Sequence, residues 1–225
     1  MAADLSEDAF RSLVALNRAW TRQHLLRGLA HEIRNQLQVL TLGTGGGPAT
    51  DAQLLPRMDQ AVDRMTDALD LLSRLGRTEP DTESADLGDV LIQVGHLSDL
   101  QRNFPTRVLV IDGSADGYRV AAPSDELIQV LLNVVGAAKA GGSQGGGPIR
   151  LRVNADGATV TFAIVEPALV GWAGKAGAPR STGDLLAEAA APYVCRRLVE
   201  RVGGRWVTDA ATGELRVVLP ISGPG

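Results

Sequence analysis

The sequence predicts an α+β protein in which an N-terminal helical hairpin dimerises into a four-helix bundle and is followed by an α/β sandwich. Two observations lead to this prediction. Apolar residues recur at alternating steps of three and four in the N-terminal third of the chain, which is helical spacing. Further on, stretches rich in β-branched residues alternate with helical patterns, which is typical of mixed α/β layers. We therefore place the hairpin at residues 1–77, a polar linker at 78–85 and the α/β sandwich at 86–225.

The hairpin consists of two predicted helices, each with an apolar seam. The first runs from about residue 6 to residue 42, where the glycines of 43–47 must end it. Its seam is formed by Leu13, Leu16, Trp20, Leu26, Ala30, Ile33, Leu37 and Leu40. The second seam is formed by Leu55, Met58, Val62, Met65, Leu69 and Leu72. Because two helices cannot enclose two seams, we expect a homodimer with a four-helix bundle.

The remaining elements predict a mixed sheet with helices on one face. Helices are expected at 87–97, 127–140 and 185–202, and strands at 107–111, 149–153, 158–165, 205–208 and 214–219. Asp86 and Ser124 are placed as N-caps of the first two of these helices. The turns at 154–157 and 211–213 each end in glycine and predict two antiparallel hairpins.

Composition excludes several classes of protein. The net charge is −4 and the isoelectric point is near 5.4, which argues against a nucleic-acid binder held by phosphate contacts. A single cysteine rules out an intramolecular disulfide and a cysteine-bound zinc, and we expect no metal site. No apolar run approaches the roughly 20 residues that span a bilayer, and no signal peptide is evident. We expect a cytoplasmic protein without a membrane or nucleic-acid partner.

A histidine on the flank of the first helix is the main candidate for chemistry. His31 follows the seam residue Ala30, so it is turned about 100° away from the seam. Neutral imidazole is a nucleophile near neutral pH and suits a phosphoryl acceptor. Glu32 lies beside it and can take a proton, and Asn35 lies one turn on and can position a phosphoryl oxygen or a water. Most exposed histidines are surface residues without a role, and spacing alone leaves both interpretations open.

Two arginines flank His31 on the same helix. Arg27 lies four residues before it and Arg34 three residues after it. They can contact a phosphoryl group or an acidic partner surface, or simply form a solvated face.

Here the sequence resembles a known family. Residues 31–35, His-Glu-Ile-Arg-Asn, resemble the H-box of two-component sensor histidine kinases, and the hairpin resembles their dimerisation and phosphotransfer domain. Residues 125–133 are similar to the approach to their N-box, and residues 193–204 to their last helix. The sandwich therefore resembles their ATP-binding domain.

The resemblance implies roles for the residues of the H-box. His31 would carry the phosphoryl group, Glu32 would assist proton transfer, and Asn35 would be linked to phosphatase behaviour. The family often has proline where this chain has Gln36, so we expect a straighter helix.

The resemblance also indicates a degenerate nucleotide site. Asn133 of the N-box and an acidic residue, Glu166, are retained. The second N-box amide and the glycines of the phosphate-facing boxes are replaced, at Ala137, Ala168, Val170, Ala189 and Ala191. The segment 171–183 is short for a loop covering phosphates, that is, a lid. A β-carbon at a backbone–phosphate contact clashes, so we predict that the chain does not use ATP.

These observations predict a histidine phosphotransferase of a phosphorelay. His31 would exchange a phosphoryl group with receiver-domain aspartates, with Mg²⁺ supplied by the receiver and no cofactor in this chain. The expected partners are response-regulator receiver domains, an upstream hybrid or sensor kinase, and a second copy of the chain. Two alternatives stay open, an active sensor histidine kinase with a divergent nucleotide site and a non-catalytic scaffold that binds kinases or response regulators.

Overall fold

The computed structural model describes residues 5–43, 84–100, 107–141, 147–175 and 187–224, and eight helical positions between 56 and 73. Several predictions fall outside these residues: the glycine run beyond Gly43, most of the linker, the glycine-rich stretch 142–146 and the end of the predicted lid. Four members of the second seam also fall outside them, namely Leu55, Met58, Met65 and Leu72.

The helices match the predicted pattern closely, with one addition. They are α1 (Glu7–Gly43), α2 (Leu87–Leu100), α3 (Ser124–Gly141), α4 (Pro167–Ala173) and α5 (Ala187–Arg201). The Asp86 carboxylate accepts a hydrogen bond from the backbone N–H of Asp89 at 3.2 Å, so its predicted role as the N-cap of α2 is confirmed. Helix α4 was not predicted. Its residues are those predicted to belong to a degenerate nucleotide box and the start of a lid, and they are helical over 167–173.

The strands form one mixed sheet. They are β1 (Ala85–Asp86), β2 (Leu109–Asp112), β3 (Tyr118–Val120), β4 (Ile149–Ala155), β5 (Thr159–Val165), β6 (Arg205–Asp209) and β7 (Glu214–Pro224). The order is β1-β3-β7-β5-β4-β2, with β6 paired to β7. Only β2 and β4 run parallel; the other pairs among the described strands are antiparallel.

The two predicted hairpins are confirmed. β4 pairs with β5 in the register Val153 to Phe162, and β6 pairs with β7 in the register Trp206 to Val217. Gly157 has φ 84° in the turn of the first hairpin, a conformation that favours glycine over other residues. β1 and β3, of two and three residues, were not predicted.

One face of the sheet packs against the helical layer. In β4, Ile149, Leu151 and Val153 are buried, whereas Arg150 and Arg152 between them are exposed. This alternation is typical of a strand with one solvated face. Buried residues of α2, α3 and α5 complete the core on the inner side of the sheet.

Helix α1 packs against the same helical layer. Phe10, Leu13, Leu25 and Leu29 are buried and belong to the same core cluster as the sheet and the other helices. Only Leu13 of these residues belongs to the predicted seam, where it was expected to face a second copy; here it packs within the chain, and the contacts of this face cross the proposed boundary between 1–77 and 86–225.

The predicted seams retain exposed apolar residues. In α1, Leu16 is 46% and Leu26 50% exposed, on the side away from the α/β layers. Among the described positions of the second seam, Val62 is 54% and Leu69 52% exposed. No helix among the described residues is both long and apolar enough to cross a membrane.

Candidate functional site

The His31 segment lies in the third quarter of α1, with one side buried and the other in solvent. Gly28 and Leu29 are buried, whereas Arg27, His31 and Arg34 are exposed. The predicted exposure of His31 and both arginines is therefore confirmed. A partner molecule can reach the imidazole from the solvent side.

The two residues predicted to assist His31 also belong to α1. Glu32 and Asn35 are helical. Their side chains lie outside the described part of the chain, so their roles stay predictions.

Gly28 brings the His31 segment against the α/β part. A β-carbon at Gly28 would lie 1.6 Å from the carbonyl oxygen of Leu100, at the end of α2. Glycine therefore allows the two backbones to touch, and any larger residue would push α1 away. Because His31 lies less than one turn further on, this contact sets the position of the imidazole relative to α2.

The histidine one turn before Gly28 has a packing role. The ring of His24 lies 4.0 Å from the ring of Trp20, and His24 Nδ1 is 2.9 Å from the Trp20 carbonyl oxygen. Both contacts are made within α1 and hold the His24 imidazole against this helix.

Asn133 is buried in α3, and its side chain contacts α1. Its Nδ2 donates to Asn17 Oδ1 at 3.0 Å and to the Gln129 carbonyl oxygen at 2.8 Å. In return, Asn17 Nδ2 donates to Asn133 Oδ1 at 3.2 Å. The amide that the family resemblance assigns to a nucleotide site is therefore paired with a residue of this chain.

Gln129 completes this group, which we call the amide cluster: Asn17, Gln129 and Asn133. Gln129 Nε2 donates to Asn17 Oδ1 at 2.6 Å and to the Val14 carbonyl oxygen at 3.3 Å. Arg18 extends the cluster, since its guanidinium donates to Gln129 Oε1 at 3.3 Å and pairs with Asp125 at 2.9 Å.

Asn17 and Gln129 were not predicted as residues of the candidate site. The signal in the sequence is weak: Gln129 and Asn133 are polar residues four apart within the apolar stretch 127–138 of α3, and buried polar groups need partners. Nothing local identifies Asn17 as that partner, because it lies 112 residues from Gln129 in sequence.

Glu166 is held in a nearly buried ion pair. Its Oε2 accepts from Arg107 Nη1 at 2.7 Å, and Arg107 also donates to the carbonyl oxygens of Ala138 and Gly147. The carboxylate therefore neutralises an arginine that joins three segments of the α/β part.

The residue two positions after Glu166 fills space within the protein. A β-carbon on Gly141 would lie 2.1 Å from the Cβ of Ala168, so the methyl group of Ala168 occupies the space beside Gly141. Ala191 in α5 is buried. Two of the residues that replace family glycines thus have packing contacts.

The single cysteine is not suited to nucleophilic chemistry. Cys195 is fully buried in α5, and burial raises the pKa of its thiol, which keeps it protonated. Among the described residues, no group of three or more His, Cys, Asp or Glu side chains could hold a metal ion.

The structure separates the predicted site residues into two places. Asn17, which contacts Asn133, precedes His31 by 14 residues, or about 21 Å along a helix axis. His31, Arg27 and Arg34 therefore form an exposed group on α1, while Asn133 and Glu166 make interior contacts.

Comparison with solved structures identifies the fold. A structure titled "1.7 Angstrom Structure of a Bacterial Phosphotransferase" covers 96% of this chain and 98% of its own, with 16% identity and a TM-score of 0.51. The mycobacterial sensor histidine kinase MprB covers 64% of this chain and 99% of its own at 18% identity and a TM-score of 0.45. The Acinetobacter baumannii histidine kinase AdeS covers 88% and 97% at 16% identity and a TM-score of 0.44.

Sequence comparisons give no further family assignment. No family model matches the chain, and no curated protein does. The mixed sheet, its helical layer and the long N-terminal helix thus correspond to the bacterial phosphotransferase over nearly the whole length of both chains. The chain therefore shares the fold of that bacterial phosphotransferase.

Proposed function

We propose that this protein is a histidine phosphotransferase of two-component signalling, which moves a phosphoryl group between His31 and receiver-domain aspartates without using ATP. One observation supports this proposal above all. His31 is exposed on α1, whereas Asn133, Glu166 and Ala168, which a nucleotide site would need open, are engaged in contacts within the chain.

The transfer of the phosphoryl group from a receiver aspartate to His31 needs no cofactor bound to this chain. A neutral imidazole nitrogen attacks the phosphorus of a receiver's aspartyl phosphate, so the N–P bond forms as the P–O bond to aspartate breaks. The receiver's carboxylate leaves with the bonding electron pair, and Glu32 accepts the proton that the phosphorylated imidazole releases from its second ring nitrogen. Mg²⁺ bound by the receiver neutralises the phosphoryl oxygens. The reverse reaction transfers the group to a second receiver.

Arg27 and Arg34 support docking of such a partner. Both are exposed and flank His31 on its side of α1. Guanidinium groups pair well with carboxylates and phosphoryl oxygens, and a receiver presents acidic groups around its phosphorylated aspartate.

We test the proposal with a panel of phosphorylated receiver domains. The wild-type protein should acquire acid-labile label from at least one receiver, and His31→Ala should lose all of it. His96→Ala is the matched control, because His96 is an exposed helical histidine of α2 and should leave labelling unchanged.

Three results would contradict the proposal. Equal labelling of the His31→Ala variant would exclude His31 as the acceptor. Incorporation of label from γ-labelled ATP would identify an active kinase. Receivers that bind the protein and never label it would indicate a scaffold.

A further inference from the structure

We infer that the α/β part holds α1 rigidly in one position, and we call this contact the clamp. The hydrogen bonds of Asn17 with Gln129 and Asn133 fix the position of α1 in it. Helix α1 thereby covers the face of α3 that carries Asn133, and the two parts move as one body. The inference does not depend on whether His31 carries phosphate.

The amide cluster holds α1 on α3. Asn17 Oδ1 accepts from both Gln129 and Asn133, and Asn17 Nδ2 donates to Asn133. The Asn17 side chain thus provides hydrogen-bond partners for three polar groups of α3, and its own oxygen and nitrogen are both hydrogen-bonded. All three side chains of the cluster are buried. A slip of α1 by one residue would leave these groups buried without partners, so the cluster fixes a single register between the helices.

Apolar contacts extend the clamp towards the N-terminus of α1. The ring of Phe10 lies edge-on to Tyr193 of α5, with centroids 6.2 Å apart. The guanidinium carbons of Arg197 and Arg201 lie 5.9 and 5.8 Å from the centre of the same ring. Phe10 is thus enclosed by three side chains of α5.

The clamp continues to the His31 segment. Leu25 is fully buried, Leu29 is buried, and Gly28 touches the end of α2. The contact therefore runs from Phe10 to Leu29, about 28 Å along the helix axis. This interface has apolar contacts at both ends and the hydrogen-bonded amide cluster between them.

Hydrogen exchange of the full chain tests the clamp. In wild type, backbone amides of residues 10–29 should exchange within about tenfold of those of β4 and β5, since both open together. Asn17→Ala should speed exchange of residues 10–29 at least about tenfold and leave β4 and β5 nearly unchanged. Ser12→Ala, an exposed position on the same helix, is the matched control and should change neither.

The inference fails if Asn17→Ala leaves the exchange of residues 10–29 unaltered, or if wild-type α1 exchanges at the rate of an isolated helix. Should Asn17→Ala not fold, Gln129→Leu removes half of the cluster from the α3 side and carries the same expectation. No receiver enters this experiment, so its failure is distinct from failure of the phosphotransfer proposal.

Discussion

Glu126 is a partly buried carboxyl group whose ionised form destabilises the folded protein. It lies in the first turn of α3 beside Asp125, and burial raises the pKa of its carboxyl group, although Arg201 and Arg18 act in the opposite direction. At neutral pH the ionised group therefore costs free energy of folding. The cost is present above the folded-state pKa and disappears as the pH falls towards the ordinary value of 4.5.

This sign gives a prediction for pH dependence. Glu126→Gln should raise the midpoint of thermal unfolding at neutral pH, and the gain should vanish as the pH approaches 4.5. Glu7→Gln, at an exposed position in the first turn of α1, is the control and should bring no gain. A gain that grows on acidification would contradict the assigned direction.

Gly28 matters at the scale of elements, because it decides how closely α1 approaches α2. Gly28→Ala should destabilise the protein by roughly 1–3 kcal/mol, since its β-carbon meets backbone rather than a flexible side chain. Urea unfolding followed by circular dichroism measures the change.

Gly171→Ala provides the control for Gly28→Ala. Gly171 is also helical, and a β-carbon there meets nothing within 4 Å. The control should therefore be neutral or slightly stabilising. Equal effects of the two substitutions would show that helix propensity, and not the contact with Leu100, decides the result.

The elements that sequence could predict are those with a local signal. α1, α3 and the two hairpins follow from periodicity, caps and glycine turns within a few residues of each other. β1 and β3 are too short to show alternation, and they form because each gains a partner distant in sequence. Helix α4 was not predicted, because its residues were compared only with a family pattern and not assessed for helix formation.

The residues of the candidate site also fall into those with a local sequence signal and those without one. The exposed group around His31 lies on consecutive turns of one helix, so sequence spacing predicts it. The amide cluster joins residues more than 100 positions apart, and its formation depends on how α1 docks. Both sides of α1 carry apolar residues, so periodicity could not tell which side would meet the α/β part.

At the scale of the whole molecule, α1 has one side in the core and another with exposed leucines. We predict that these leucines hold two copies together. Replacing both Leu16 and Leu26 by serine should convert a dimer into a monomer in sedimentation experiments, with the α/β fold retained.

Ile92→Ser is the control for the dimer prediction. Ile92 is an exposed apolar residue of α2, outside both predicted seams, and its replacement should leave the dimer intact. If the wild-type protein sediments as a monomer, the prediction that these leucines hold a dimer together is wrong.

The contact between Gly141 and Ala168 has an evolutionary consequence. Gly141 leaves room for the methyl group of Ala168, so the two positions are matched to each other. Returning Ala168 to glycine would remove the methyl group that lies beside Gly141, while Asn17 would still hold Asn133. If an ancestor bound nucleotide, a single substitution at Ala168 would therefore leave the Asn133 amide hydrogen-bonded to Asn17 and not free for a ligand.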